Sequence, residues 1–306
     1  MSKLNSGNLM IYLDHAATTP VAPEVLEGML PFLSTEYGNP SSIYAAGRRI
    51  RQAVDEARDQ VATVLKCDYS EICFTSGGTE ANNLAIVGAA LAAPKSRNKV
   101  VVSAIEHHAV LHAAHWLIPF GYEVLVAPVC SDGLVDLEFL ELNIDDRTAL
   151  VSVMHANNEI GTIQDIAKIA QMAHDSGALF HTDAVQTLGK LQLNVRGIAC
   201  DLLSVSGHKV YGPKGIGALY VKTGTLLTPI AVGGAQERER RAGTENVAGI
   251  VGFGIAATRV EASREAESKR LQDLRDWFIP EALDRIPGLT LNGHPTKRLC
   301  NNVSFS

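Results

Sequence analysis

Short apolar runs alternate with longer amphipathic stretches along most of the chain. The apolar runs predict strands over residues 71–75, 99–103, 123–127, 149–154, 179–182, 202–205 and 217–221. The amphipathic stretches between them predict helices, including 48–65, 80–92, 108–118 and 166–175. Continuous apolar strands separated by helices are typical of a mostly parallel sheet covered on both faces. The pattern therefore predicts an α/β fold whose ligand site lies beyond the carboxyl ends of the strands.

The pattern changes after residue 221. Residues 233–246, GGAQERERRAGTEN, are rich in Gly and Arg and predict a loop, whereas 247–283 predict one long helix or two. The stretches 286–293 and 298–306 predict strands of a second, smaller domain. We therefore expect a large domain at 15–255 and a partial small α+β domain formed by 1–14 and 256–306.

Composition narrows the class of protein. A chain of 306 residues with 46% hydrophobic and 20% charged residues is an ordinary globular protein of about two domains. Its net charge of −6 argues against nucleic-acid binding as a primary role. The five cysteines form no CxxC pair, and no apolar run reaches the roughly 18 residues that span a bilayer. These features predict a cytoplasmic protein without a membrane segment.

A candidate anion site follows the first predicted strand. Ser76, Gly77, Gly78 and Thr79 separate that strand from a helix that opens at Glu80. Glycines let backbone N–H groups approach a phosphate, and a helix N-terminus adds a positive dipole. A plain glycine turn with a threonine cap explains the same residues, so this segment alone leaves both interpretations open.

Histidines follow the second predicted strand. His108, His112 and His115 share one face of a helix, which raises the question of a metal site. No carboxylate or cysteine accompanies that face, so we predict no metal there. His107 lies at the junction of strand and helix, where its ring can stack on a ligand.

Two charged residues follow later strands. Asp183 ends the strand at 179–182, where it caps a helix or faces a protonated ring nitrogen. Lys209 follows the apolar strand at 202–205, where it is a surface lysine or an amine suited to Schiff-base chemistry. A phosphate cradle, a stacking residue, an Asp and a Lys at one sheet edge together form the set that pyridoxal phosphate (PLP) requires.

The sequence resembles the cysteine desulfurases of the NifS/IscS kind, within the aspartate-aminotransferase fold of PLP enzymes. The stretches that carry this resemblance are YLDHAATTP, YGNPSS, FTSGGTEANN, EHHAVL, HANNEIG, HTDAVQ, SGHKVYGPKG and RRAGTEN. They run from Tyr12 to Asn246 and so cover most of the chain. The resemblance implies a PLP-dependent desulfurase that converts L-cysteine to L-alanine and passes the sulfur to an enzyme persulfide.

The resemblance also implies roles for individual residues. Lys209 bonds to the cofactor and removes the substrate α-proton, His107 stacks on the ring and carries protons, and Asp183 pairs with the ring nitrogen. Asn158 and Gln186 contact the oxygen side of the ring. The phosphate is held by Gly78, Thr79, Ser206 and His208. Thr244 contacts the phosphate bound by the neighbouring subunit. The last contact implies a homodimer with shared active sites, and iron–sulfur scaffold or other sulfur-acceptor proteins are expected partners.

One departure from the family pattern bears on activity. In the family, the nucleophilic cysteine and the arginine that holds the substrate carboxylate follow the NNVSFS segment, where the present sequence stops. We therefore expect an incomplete small domain and treat the activity of these 306 residues as open. A PLP-binding or scaffold protein that transfers no sulfur, and a selenocysteine lyase, are the alternatives.

Overall fold

The computed structural model describes residues 11–306, which contain eight α-helices and one seven-stranded sheet. The strands are β1 (Ile72–Thr75), β2 (Lys99–Ser103), β3 (Glu123–Ala127), β4 (Thr148–Ser152), β5 (Leu179–Asp183), β6 (Leu202–Ser206) and β7 (Gly217–Val221). The helices are α1 (Pro23–Ser34), α2 (Ala45–Leu65), α3 (Gly78–Ala92), α4 (His108–Trp116), α5 (Leu137–Asn143), α6 (Ile166–Asp175), α7 (Val195–Ile198) and α8 (Val247–Arg285). All seven predicted strands are present, and the ends differ from the prediction only in β1, β4, β5 and β6.

The sheet has the order β1-β7-β6-β5-β4-β2-β3 and is parallel except at β7. Strand β7 runs antiparallel to both of its neighbours, β1 and β6. The remaining pairs are parallel, so all strands except β7 end at the same edge. The prediction of a mostly parallel sheet is confirmed, and this edge brings six strand ends together.

Each face of the sheet packs against helices. Neighbouring residues of one strand contribute to opposite cores, as Leu202 and Leu203 do in β6. One core contains residues of α3 and α4, and the other contains residues of α2, α6 and α8. Because both faces are covered, the inner strands are buried along nearly their whole length, as a continuous apolar run requires.

The prediction of strands at 286–293 and 298–306 is wrong, because the chain forms no extended strand over these residues. The segment 286–306 forms two isolated bridges: Leu291 pairs with Phe305, beside backbone hydrogen bonds that join Thr290 to Ser306, and Arg298 pairs with Thr162. Gly288 and Gly293 have φ values of 82° and 77°, so a turn closes each end of the short apolar run. The run is therefore too short to form more than local pairing.

The predicted domain boundary at 255/256 falls inside a continuous helix, α8. Residues 1–10 of the predicted small-domain segment lie outside the described residues. The division into 15–255 and 1–14 with 256–306 stays a prediction. Among the helices at 11–306, none is long and apolar enough to cross a membrane.

Candidate active site

A cavity of about 480 Å³ lies at the edge where the parallel strands end. Each of β1, β2, β4, β5 and β6 sends the residues that follow it into the cavity wall. Nine of the ten predicted site residues line this cavity: Gly78, Thr79, His107, Asn158, Asp183, Gln186, Ser206, His208 and Lys209. The topology thus brings together residues that lie up to 131 positions apart in the sequence.

The segment between β1 and α3 forms a cradle for an anion. Gly77 has φ 155° and ψ −177°, a conformation that is essentially restricted to glycine. A Cβ atom on Gly78 would lie 2.8 Å from Cγ2 of Val185, so the backbone approaches the wall more closely than a side chain permits. Beside Gly78, where an added Cβ would lie 3.7 Å from Ser206 Cβ, the Ser206 hydroxyl is buried and has no hydrogen-bond partner among residues 11–306. Together with the N-terminus of α3, these groups suit a phosphate.

Asp183 provides a buried carboxylate in the wall of the cavity. Its Oδ2 accepts a hydrogen bond of 2.6 Å from Asn82 Nδ2, and its Oδ1 accepts one of 2.9 Å from the Val185 N–H. Burial raises the pKa of this carboxyl, although both hydrogen bonds act in the opposite direction. A ligand cation beside Asp183 would offset the cost of burying its charge.

Asn82 was missed by sequence reasoning. It lies three residues after Thr79 on α3, one helical turn further along the face that lines the cavity. Its Nδ2 donates a hydrogen bond to Asp183, while its Oδ1 is buried and has no hydrogen-bond partner in the described part of the chain. The spacing from the glycine turn was the signal that could have identified it.

Lys209 ends a short turn that follows β6. Its Nζ donates hydrogen bonds to the carbonyl oxygens of Ala16 and Ala17, the latter at 2.7 Å. Burial lowers the pKa of Lys209, while the nearby carboxylates Asp14 and Asp183 oppose this effect. The amine is therefore closer to its neutral, nucleophilic form than a surface lysine is.

The N-terminal segment also lines the cavity. Asp14, Ala16 and Ala17 are among the lining residues, and Gln186 Nε2 donates a 3.0 Å hydrogen bond to the Ala16 carbonyl. The sequence motifs predict no site residue in the DHAA segment. Its role depends on tertiary packing against Lys209, which no local pattern reveals.

His107 caps helix α4 through its side chain. Its Nδ1 accepts a 3.1 Å hydrogen bond from the Ala109 N–H. A neutral ring in this position carries its proton on Nε2, so it can donate a proton from that atom. His107 thus lines the cavity as a ring with one nitrogen engaged by the backbone and one free to exchange a proton.

Glu106 lies next to His107 in the connection between β2 and α4. Its Oε1 accepts hydrogen bonds from Ser103 Oγ at 2.5 Å and from the Met154 N–H at 2.6 Å. Burial raises the pKa of Glu106 to about 8 despite those two hydrogen bonds. This side chain ties the β2–α4 connection to the end of β4 and so fixes where His107 emerges.

Thr244 does not line this cavity and is exposed on the loop at 236–246. Among the described residues 11–306, no cluster of three His, Cys, Asp or Glu is placed to hold a metal ion. The cavity wall also contains none of the five cysteines, all of which lie in the described part: Cys67, Cys73, Cys130, Cys200 and Cys300.

The fold and the site define a family. The aminotransferase class-V family model matches residues 11–306, and the chain belongs to this family. Within it, the chain groups with the cysteine desulfurases of the NifS/IscS kind. The resemblance recognised in the sequence motifs is thereby confirmed.

Several relatives support this grouping. The chain is 49% identical to cysteine desulfurase IscS of Dictyoglomus turgidum over 296 residues, which cover 97% of this chain and 75% of that protein. It is also 49% identical to cysteine desulfurase IscS of Methanosarcina thermophila over 303 residues, covering 99% and 75%. The chain thus spans about three quarters of the length of these relatives.

Solved structures agree with this result. A NifS-like protein matches with a TM-score of 0.93 and 37% identity, over 97% of this chain and 81% of that one. A structure of SspA in complex with cysteine matches with a TM-score of 0.77 and 42% identity, over 80% and 72%. The predicted PLP-enzyme fold is therefore correct.

Proposed function

We propose that this chain is a PLP-dependent cysteine desulfurase that converts L-cysteine to L-alanine and transfers the sulfur to a thiol. The observation that carries the proposal is the convergence of Lys209, Asp183 and the glycine cradle in one cavity. A PLP enzyme needs all three groups, and the similarity to cysteine desulfurases supports desulfuration as its reaction.

The residues present fit the cofactor. The cradle of Gly78 and Thr79, with the buried Ser206 hydroxyl and with His208, would hold the phosphate. Asp183 would hold a protonated ring nitrogen, because the burial of its charge calls for a cation beside it.

The rest of the cofactor would meet the other predicted residues. Lys209 would bond to its aldehyde carbon, and His107 would lie against the ring. Asn158 and Gln186 would contact the oxygen side of the ring. When bound, PLP supplies an electron sink for the pair that the substrate Cα–H bond releases.

The chain's own groups move protons. Lys209 is the base for the substrate α-proton, since burial lowers the pKa of its amine and so favours the neutral form that accepts a proton. The amine hydrogen-bonds to Ala16 and Ala17, which hold it at the cavity wall. His107 Nε2 provides a second proton-carrying atom, oriented by the bond from the Ala109 N–H to Nδ1.

The sulfur step needs an acceptor thiol RSH. The substrate C–S bond breaks and an S–S bond forms, so cysteine and RSH give alanine and RSSH. Burial raises the pKa of the Cys73 thiol to about 12, and burial also raises that of Cys67 to about 12, so neither ionises readily. Because none of the five cysteines lines the cavity, we assign acceptance to a thiol that reaches the cavity from outside its walls, and sulfur-acceptor proteins of iron–sulfur assembly are the proposed partners.

The proposal includes a homodimer with shared sites and a cytoplasmic location. Thr244 is exposed and outside its own cavity, so its predicted phosphate contact requires the cavity of a second copy. The five free cysteines suit a reducing compartment.

The test is a product assay. Purified protein is supplied with PLP, L-cysteine and dithiothreitol as an external thiol, and alanine and sulfide are measured, with L-selenocysteine as a parallel substrate. We expect alanine and sulfide in equal amounts from cysteine, and neither from the Lys209→Ala variant. Protein that is loaded with PLP but forms no alanine would refute the proposal. Turnover of selenocysteine alone would favour the lyase alternative.

A further inference from the structure

Glu80 connects the phosphate cradle to a distant loop. It follows Thr79 directly in the first turn of α3, and both of its carboxylate oxygens are used. Oε2 accepts a 2.8 Å hydrogen bond from the Ser76 N–H, which opens the cradle, and Oε1 accepts one of 2.8 Å from Nε of Arg241. The side chains of Glu80 and Arg241 are 18% and 26% exposed, so solvent screens this pair less than a surface pair.

Arg241 lies three residues before Thr244 in a well-tied loop. The Gly243 N–H donates to Gln236 Oε1 at 3.0 Å, and the Ala242 N–H donates to the Ala231 carbonyl at 3.1 Å. Gly243 has φ 104°, so the backbone turns sharply just before Thr244. The position of Arg241 therefore determines where the turn begins and where Thr244 emerges.

The pair is charged at neutral pH. Burial acts to raise the pKa of Glu80, but the hydrogen bonds from Arg241 and Ser76 outweigh it, and the pKa is lowered. The hydrogen bond to Glu80 raises the pKa of Arg241. Charge-assisted hydrogen bonds of this kind are about twice as strong as neutral ones.

We propose that the Glu80–Arg241 ion pair positions two phosphate-binding elements at once, the cradle at 76–79 of its own subunit and the Thr244 loop offered to the partner subunit. Both are positioning residues, because they act through the backbone of the cradle and of the loop. The inference rests on the proposed function, since it assumes PLP and a shared site.

The first test separates a phosphate effect from general damage. The dissociation constants of PLP and of pyridoxal, which lacks the phosphate, are measured for wild type, Arg241→Gln and Arg241→Lys. We expect Arg241→Gln to weaken PLP binding about tenfold, as loss of the charge-assisted contact with Glu80 implies, while pyridoxal binding changes less than about twofold. Arg241→Lys keeps the charge and should recover part of the loss. The matched control is Arg285→Gln, which breaks an exposed ion pair with Glu281.

The second test asks whether Arg241 acts through Thr244. In a double-mutant cycle, Arg241→Gln should weaken PLP binding much less in a Thr244→Ala background than in wild type. Equal loss of PLP and pyridoxal affinity, or full additivity of the two substitutions, would overturn the inference while leaving the desulfurase proposal intact. Wild-type protein that binds neither compound would refute the desulfurase proposal, and the inference would fall with it.

Discussion

The Arg58→Met substitution is predicted to destabilise the protein strongly. Arg58 on α2 and Glu237 in the loop at 236–246 are each 3% exposed, and they form two hydrogen bonds of 2.7 Å. Arg58 Nη1 also donates to the Ile72 carbonyl at 2.8 Å, and Glu237 Oε2 accepts from the Phe74 N–H at 2.8 Å. Removing the guanidinium leaves a buried carboxylate with one backbone N–H as its partner.

The size of the effect follows from this burial. Breaking a buried ion pair by removing one partner costs about 3–5 kcal/mol, because the other charge stays buried without compensation. The pair also holds an unfavourable backbone. Residues Glu237, Arg238 and Glu239 have φ values of 46°, 56° and 64°, and each left-handed residue costs roughly 1–2 kcal/mol. We expect the loop to relax once the anchor is lost, so the effect lies within the stated range rather than above it.

Urea unfolding at pH 7 measures the prediction. Arg58→Met should lower the free energy of unfolding by about 3–5 kcal/mol, whereas the exposed control Arg285→Met should change it by less than about 1 kcal/mol. The double variant Arg58→Met/Glu237→Gln should be more stable than Arg58→Met, since it removes the uncompensated charge. The reasoning fails if Arg58→Met matches the control or if the double variant is the least stable of the three.

Three further predictions concern the site and its surroundings. Asp183→Asn removes the charge of the side chain while keeping its shape. It should slow alanine formation by about 10- to 100-fold, because a charge-assisted hydrogen bond is lost. An unchanged rate would contradict the role of Asp183. Burial lowers the pKa of His181 from 6.5 to about 3, so the unfolded chain binds a proton that the folded chain does not. This group should lower the free energy of unfolding by about 1.4 kcal/mol per pH unit as the pH drops from 6.5 towards 3. His181→Asn should remove this contribution to the pH dependence. Wild type and variant with the same pH dependence of the free energy of unfolding in urea would refute the prediction. Cys300 is buried away from the cavity, so Cys300→Ser should leave alanine formation within about twofold of wild type, and a large loss would show that its thiol takes part.

The strands and their order of appearance followed from the sequence because each is short, apolar and bounded by turn residues. β2, β3 and β7 were predicted with their observed ends, and β5 and β6 were extended by one residue, to Asp183 and Ser206. Those two residues are polar, so hydropathy ends the strand before them, while the ladder of backbone hydrogen bonds continues. The helix at 166–175 was also predicted with its observed ends, because Asp165 caps its start.

Other features depend on contacts that no local pattern contains. Helix α1 begins at Pro23 and carries Pro31 inside, and it packs on α8 more than 200 residues away. The roles of Asp14 and Ala16 arise only where their segment meets Lys209. Nine of the predicted site residues line one cavity because the parallel topology gathers the strand ends, and this topology follows from the alternation of strands and helices, whereas their individual roles were implied by the family resemblance.

The most direct test of the whole account is to locate the lysine that bonds to the cofactor. The protein is incubated with PLP, reduced with borohydride, digested and analysed by mass spectrometry. Lys190 provides an internal comparison, since burial lowers the pKa of its amine to about 8, yet it lies outside the cavity that holds the glycine cradle. The account predicts a pyridoxyl group on Lys209 alone and none in Lys209→Ala. A modified Lys190, or a label that persists without Lys209, would contradict it.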